Sequence, residues 1–167
     1  PAAGAFKNVL EDLNVVLWTR TSLVVSLIMF FDGAVTGYGE ALMPIAAVKL
    51  FSFSTTQWSQ LVAMMGLTGA FAALALGPLI DRFGARTMLL LTIGVVCAHA
   101  FLLAGTQQLW TNSTYVLFML SAYVLMQPVT MVCVIALAMS ICSTRISATQ
   151  FAVYMSMANL GHSAGSK

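Results

Sequence analysis

Gly77-Pro78-Leu79-Ile80-Asp81-Arg82-Phe83-Gly84-Ala85-Arg86 is the stretch on which the reading of this chain turns. It holds three of the few charged residues and lies between two long apolar runs. Glycine at position 84 permits a tight reversal, because it takes backbone conformations closed to other residues. Glycine at 77 permits close contact with another helix. Asp81 stands near a helix end, where it can accept hydrogen bonds from a neighbouring helix start or pair with an arginine. A short charged turn between two membrane-length helices is the expected arrangement; a plain solvated turn is the simpler alternative.

The composition leads to the same class. Of 167 residues, 60% are hydrophobic and 7% charged, with a mean hydropathy of +0.93. A soluble domain carries roughly 25% charged residues, so this chain has too little polar surface to face water all round. Lipid as solvent removes that difficulty, and the continuous apolar runs point to helices rather than to the alternating strands of a barrel. The fold class is therefore all-α integral membrane: four transmembrane helices plus a partial fifth. A net charge of +2 gives no reason to expect a nucleic-acid partner. Cys97, Cys133 and Cys142 lie inside apolar runs without metal spacing and read as packing residues. No nucleotide loop, metal cluster or nucleophile triad is legible, so neither an enzyme nor a cofactor is expected.

Outward from the central turn, the spans are expected at about residues 22–48, 58–80, 87–105, 114–142 and 147–167. The apolar part of the last, 151–160, is shorter than the roughly 20 residues a crossing needs. Residues 1–20 are amphipathic, with Phe6, Leu10, Leu13 and Leu17 at helical spacing and Lys7, Glu11, Asp12 and Asn14 between them. They read as a cytoplasmic linker helix lying at the interface, and 21–167 as the membrane bundle. In the second span Gly66, Gly69, Ala70, Ala73 and Gly77 form a small-residue stripe that lets another helix approach. Lys7, Arg20, Arg82, Arg86 and Arg145 fall on one side if the spans alternate, against Lys49 on the other. The positive-inside rule then puts the N-terminus and the Asp81 loop in the cytoplasm, in an inner or plasma membrane, or in an organelle membrane.

Several polar residues fall inside these spans. Asp32 is either a proton-linked group in the bundle interior or an acid that reaches the interface near Arg20; ionised and central it would cost about 3 kcal/mol. Glu40, about 12 Å further along the helix, either extends a polar stripe with Asp32 or sits in the outer interface near Lys49. His99 is a proton-relay candidate or a neutral histidine bonded to a neighbouring helix. Gln127 stands beside Pro128, whose missing N–H frees a carbonyl, and is a substrate-cavity candidate. Gln150 and Asn159 either line the same path or bond between helices. Asn112-Ser113-Thr114 matches a glycosylation acceptor in an outward loop.

Residues 77–89 resemble the loop signature of the major facilitator superfamily, G-x-L-x-D-R-x-G-x-[RK]-x-x-L. Gly77, Leu79, Asp81, Arg82, Gly84, Arg86 and Leu89 match; Ala85 departs where a basic residue is common. Phe31-Asp32-Gly33-Ala34 and Ile146-Ser147-Ala148-Thr149-Gln150-Phe151-Ala152 resemble the second half of AmpG-type muropeptide permeases and their acetyl-CoA transporter relatives. The resemblance implies helices seven to eleven of a twelve-helix transporter, half of an MFS-type bundle. It implies a symporter or permease working by proton-coupled alternating access on a polar solute. The gating loop would be Gly77, Asp81, Arg82, Gly84 and Arg86. The partners would be a small-molecule substrate, the bilayer, and the missing half or a second copy. The alternative is a small membrane subunit or scaffold that transports nothing.

Overall fold

The structure is a computed structural model that describes residues 14–144 and 146–167. The linker helix expected over residues 1–20, with Lys7, lies outside the described residues up to position 13, and Arg145 lies outside them as well. The fold is all-helical, and no strand occurs among the described residues.

Helix α1 spans Arg20–Lys49 and α2 spans Thr55–Ala75. A short helix α3, Gly77–Phe83, precedes the turn at Gly84, and α4 runs Ala85–Gly105. A 3-10 turn at Gln107–Leu109 leads into α5, Ser113–Ser140, and α6 covers Ser147–Gly165. Four of these, α1, α2, α4 and α5, are long and apolar enough to cross a membrane. At 1.5 Å per residue, the 21 residues of α2 or of α4 measure about 31 Å, the thickness of a hydrocarbon core. Large apolar side chains point outward along them, as in Leu74 (76% exposed) and Phe101 (78% exposed). In water that exposure would be costly; against lipid it is the ordinary state of a spanning helix.

The second expected span, 58–80, proves to be two helices. The helix stops at Ala75, Leu76 is a turn, and α3 restarts at Gly77 with Pro78 in its first turn. Proline suits that position because its missing N–H has no helical partner there anyway. The start of α2 is closed by a capping box. Ser54 Oγ accepts from the Gln57 N–H at 3.1 Å and Gln57 Oε1 accepts from the Ser54 N–H at 2.8 Å, which satisfies two end donors at once.

The chain divides into two compact units. One contains α1 up to Gly39 together with the chain from Val134 onward; the other is Glu40–Cys133. In the first, the buried positions of α1 are Ser22, Val25, Met29, Gly33 and Gly37, three or four residues apart, and they define one helix face. On α6 the buried positions are Gln150, Tyr154 and Gly161. In the second unit, Ala47, Leu61, Val116, Leu120 and Val124 form a core flanked by Phe51, Phe53, Trp58, Trp110, Tyr115 and Tyr123.

Candidate functional site

The first unit is organised by glycines that face backbone. A side chain at Gly33 would run into the Ala158 carbonyl, and one at Gly37 into the His162 carbonyl. The relation is reciprocal: Gly161 faces the Phe30 carbonyl and Gly165 the Ala34 carbonyl. Two G-x-x-x-G segments, 33–37 and 161–165, therefore bring α1 and α6 to backbone contact. This geometry places Cα–H groups against carbonyl oxygens, a weak but recurrent bond at helix interfaces.

This seam sets the level of two expected site residues. Asp32 is half-buried, and among the described residues it has neither a hydrogen bond nor an ion pair. Asn159 is exposed. Each lies one residue from the Gly33–Ala158 apposition, so the two stand at the same depth along the paired helices.

Gln150 belongs to a different kind of site. It is fully buried, and its amide is committed within the unit. Its Oε1 accepts from the Ser143 N–H at 2.8 Å, and its Nε2 donates to Tyr154 Oη at 2.7 Å and to Ser22 Oγ at 3.3 Å. Ser22 and Tyr154 close the ring at 2.8 Å. The arrangement ties α1, α6 and the turn before α6 together and commits both amide donors of this fully buried side chain.

The second unit holds the other candidates. Glu40 lies seven residues before the buried Ala47, on the same face of α1. Gln127 lies seven residues after Leu120 on α5. The apolar core thus gives way along both helices to polar positions. Tyr123 stands at that transition: its hydroxyl feels both the Gln127 side chain and the charge of Glu40. Tyr123 was not singled out from the sequence, although a tyrosine one turn before a glutamine beside a proline is the pattern that marks it. Pro128 removes the N–H that would bond the Val124 carbonyl, and its ring packs against Gly69 of α2. His99, by contrast, is bonded at Nε2 to the Met119 carbonyl at 3.0 Å. A carbonyl can only accept, so the proton is on Nε2, and the bond joins α4 to α5.

The loop at 77–86 is geometrically what its glycine demands. Gly84 has φ 84° and ψ 144°, a conformation that L side chains avoid. It ends α3 by donating its N–H to the Ile80 carbonyl at 2.8 Å and starts α4 by accepting from Met88 at 3.1 Å. The close contact expected at Gly77 is not found: nothing lies within 4 Å of the position its side chain would take. Within the small-residue stripe, close approach occurs at Gly69, while Gly66 is open. Asp81, Arg82 and Arg86 are exposed. Asp81 has no ion pair among the described residues, and the Arg82 guanidinium lies over the Phe83 ring at 5.4 Å.

Compared with known proteins, the chain matches no curated protein and no solved structure. The family model described as Major Facilitator Superfamily matches residues 2–166, almost the whole chain. With four membrane-length helices and a charged glycine turn, the chain is a multi-pass integral membrane protein that belongs to the Major Facilitator Superfamily.

Proposed function

We propose that this transporter-family chain moves a polar solute by proton-coupled alternating access, with Asp32 as the proton-linked group. The observation that carries the reading is Asp32 itself: a half-buried carboxylate within a membrane-spanning helix, with no hydrogen bond or ion pair among the described residues. An ionised carboxylate at such a depth costs up to about 3 kcal/mol. A group of this kind is best tolerated when it takes up and releases a proton as its surroundings change.

In this reading the solute-facing groups of the second unit are Gln127, with Tyr123 beside it, and Glu40 as the nearby charge; that of the first unit is Asn159, at the depth of Asp32. Gln150 and His99 serve structure through the bonds already described. The exposed turn Asp81-Arg82-Phe83-Gly84-Ala85-Arg86 lies on the cytoplasmic side, where Asp81 is available to latch a neighbouring helix in one state of the cycle. The rigid α1–α6 seam suits rocking of a bundle as a body. On the resemblance to AmpG-type permeases and acetyl-CoA transporters, the chain supplies helices seven to eleven. Its solute is then a muropeptide or acetyl-CoA, and the cavity is completed by the other half or by a second copy. The family's members are transporters, and no chemical transformation of the solute is proposed.

The test is Asp32→Asn in the full-length protein, reconstituted in vesicles with an imposed proton gradient. Uphill uptake should be lost while downhill exchange of the solute continues. Uphill uptake that persists with unchanged pH dependence would move the proton to another residue, Glu40 first.

A further inference from the structure

At the end of the second unit opposite the Gly84 turn lies a cavity of about 720 Å³. It is framed by the loop between α1 and α2, the loop between α4 and α5, and the first turns of α2 and α5. Three aromatic residues, Phe51, Phe53 and Trp110, contribute to its lining. Among the described residues, no Asp, Glu, Lys or Arg lines it; its polar lining is amide and hydroxyl, including Gln57, Gln60 and Thr111.

The frame is held in place by its own bonds. Phe51 and Trp110 meet edge to face with centroids 5.2 Å apart, and the indole N–H of Trp110 donates to the Leu103 carbonyl at 3.1 Å. Phe51 and Phe53 donate their backbone N–H groups to the Ala46 and Ala47 carbonyls at 3.2 and 3.0 Å. Between them Ser52 is held at φ 59°, the one non-glycine residue with positive φ among those described. Such a conformation persists only where surrounding structure dictates it, and it recurs at ligand clamps. The polar lining, in contrast, is unspent. Gln60, Thr111 and Ser121 make no side-chain hydrogen bond among the described residues, and Gln57 uses its oxygen on the Ser54 N–H but keeps both amide donors.

We propose that this cavity is a binding site for a neutral polyhydroxylated ring, a sugar unit. Its volume falls within the ~300–1,000 Å³ range of small-molecule pockets. The absence of charged lining disfavours ionic solutes, whose charge would be desolvated without a partner. Aromatic faces suit the C–H face of a sugar ring, and free amides and hydroxyls suit its hydroxyl groups, each able to donate and accept. The site lies wholly within the second unit and does not depend on how transport is coupled. The sugar has two possible sources, free in solution or as the headgroup of a glycolipid.

The experiment uses the full-length protein in nanodiscs without any gradient, so its failure leaves the transport reading untouched. One arm measures equilibrium binding of radiolabelled glucose and N-acetylglucosamine. The other measures retention of a monoglucosyl diacylglycerol against phosphatidylglycerol. Gln60→Leu with Thr111→Val removes the free hydrogen-bonding groups at exposed positions, and unchanged melting confirms that the fold is kept. Saturable binding in either arm, weakened about tenfold by the double variant as expected for one to two lost hydrogen bonds, supports the proposal and identifies the source by the arm. No saturable binding in both arms, equal binding by the double variant, or equal retention of phosphatidylglycerol overturns it.

Discussion

Gly161 lies against the backbone carbonyl of Phe30 so closely that no side chain fits between them. Replacing it with alanine must push α1 and α6 apart along the whole seam, because Gly33, Gly37 and Gly165 meet backbone in the same way. Gly161→Ala is expected to destabilise the protein by about 1–3 kcal/mol, the usual cost of overpacking. Gly94→Ala on α4, where nothing lies within 4 Å, is expected to be neutral or to stabilise by up to about 1 kcal/mol through helix propensity. Thermal unfolding in detergent, followed by size-exclusion, compares the two. Equal behaviour would mean the seam is not a rigid contact.

The buried ring of Ser22, Gln150 and Tyr154 makes a second prediction. Tyr154→Phe keeps the ring's volume but removes the hydroxyl, so Gln150 Nε2 loses its shorter bond. The expected loss is about 1–2 kcal/mol, within the range for interhelical bonds in membranes and for a buried amide left short of a partner. Ser22→Ala, which leaves the 2.7 Å bond in place, should cost less. Reversal of that order in unfolding measurements would place the stabilisation elsewhere.

At the central turn, two substitutions separate backbone from charge. Gly84→Ala forces a side chain onto a residue at φ 84°, and about 1–3 kcal/mol of strain is expected, read as lower folded yield and a lower Tm. Asp81→Asn disturbs no bond among the described residues. It should leave folding unchanged while slowing transport, as a latch that engages in another state requires. Normal transport by Asp81→Asn would reduce the acid to a solvated turn residue.

Topology is checked by cysteine labelling in a background lacking Cys97, Cys133 and Cys142. Ser52 and Arg82 are both exposed and lie at opposite ends of the helical second unit. An impermeant reagent added outside intact cells should modify Ser52→Cys and spare Arg82→Cys. The reverse pattern would invert the proposed orientation.

The sequence by itself determined the solvent and the class. Four runs of apolar residues, each long enough to cross the hydrocarbon core, leave a helix as the way to satisfy every backbone group, and Gly84 between charged residues marks a reversal that few other residues could make. Those are local properties, carried by composition and by single positions. Pairing between distant segments was decided only by tertiary structure. Gly33, Gly37, Gly161 and Gly165 carry a legible G-x-x-x-G spacing in each segment, yet spacing does not say which helix a glycine meets. The same limit explains Gly77, whose lack of a side chain permitted a close contact that no neighbour among the described residues makes, and the break at Leu76 within an apolar run that looked continuous. It explains the polar residues most of all. Gln150 and Gln127 are the same side chain in similar apolar surroundings, but one is closed inside a ring of bonds with Ser22, Ser143 and Tyr154 while the other lies beside Tyr123 near Glu40. A hydrogen bond is set by which groups come within about 3.5 Å of one another, and for Ser22 and Gln150, 128 residues apart in the chain, only the packing of helices brings them there.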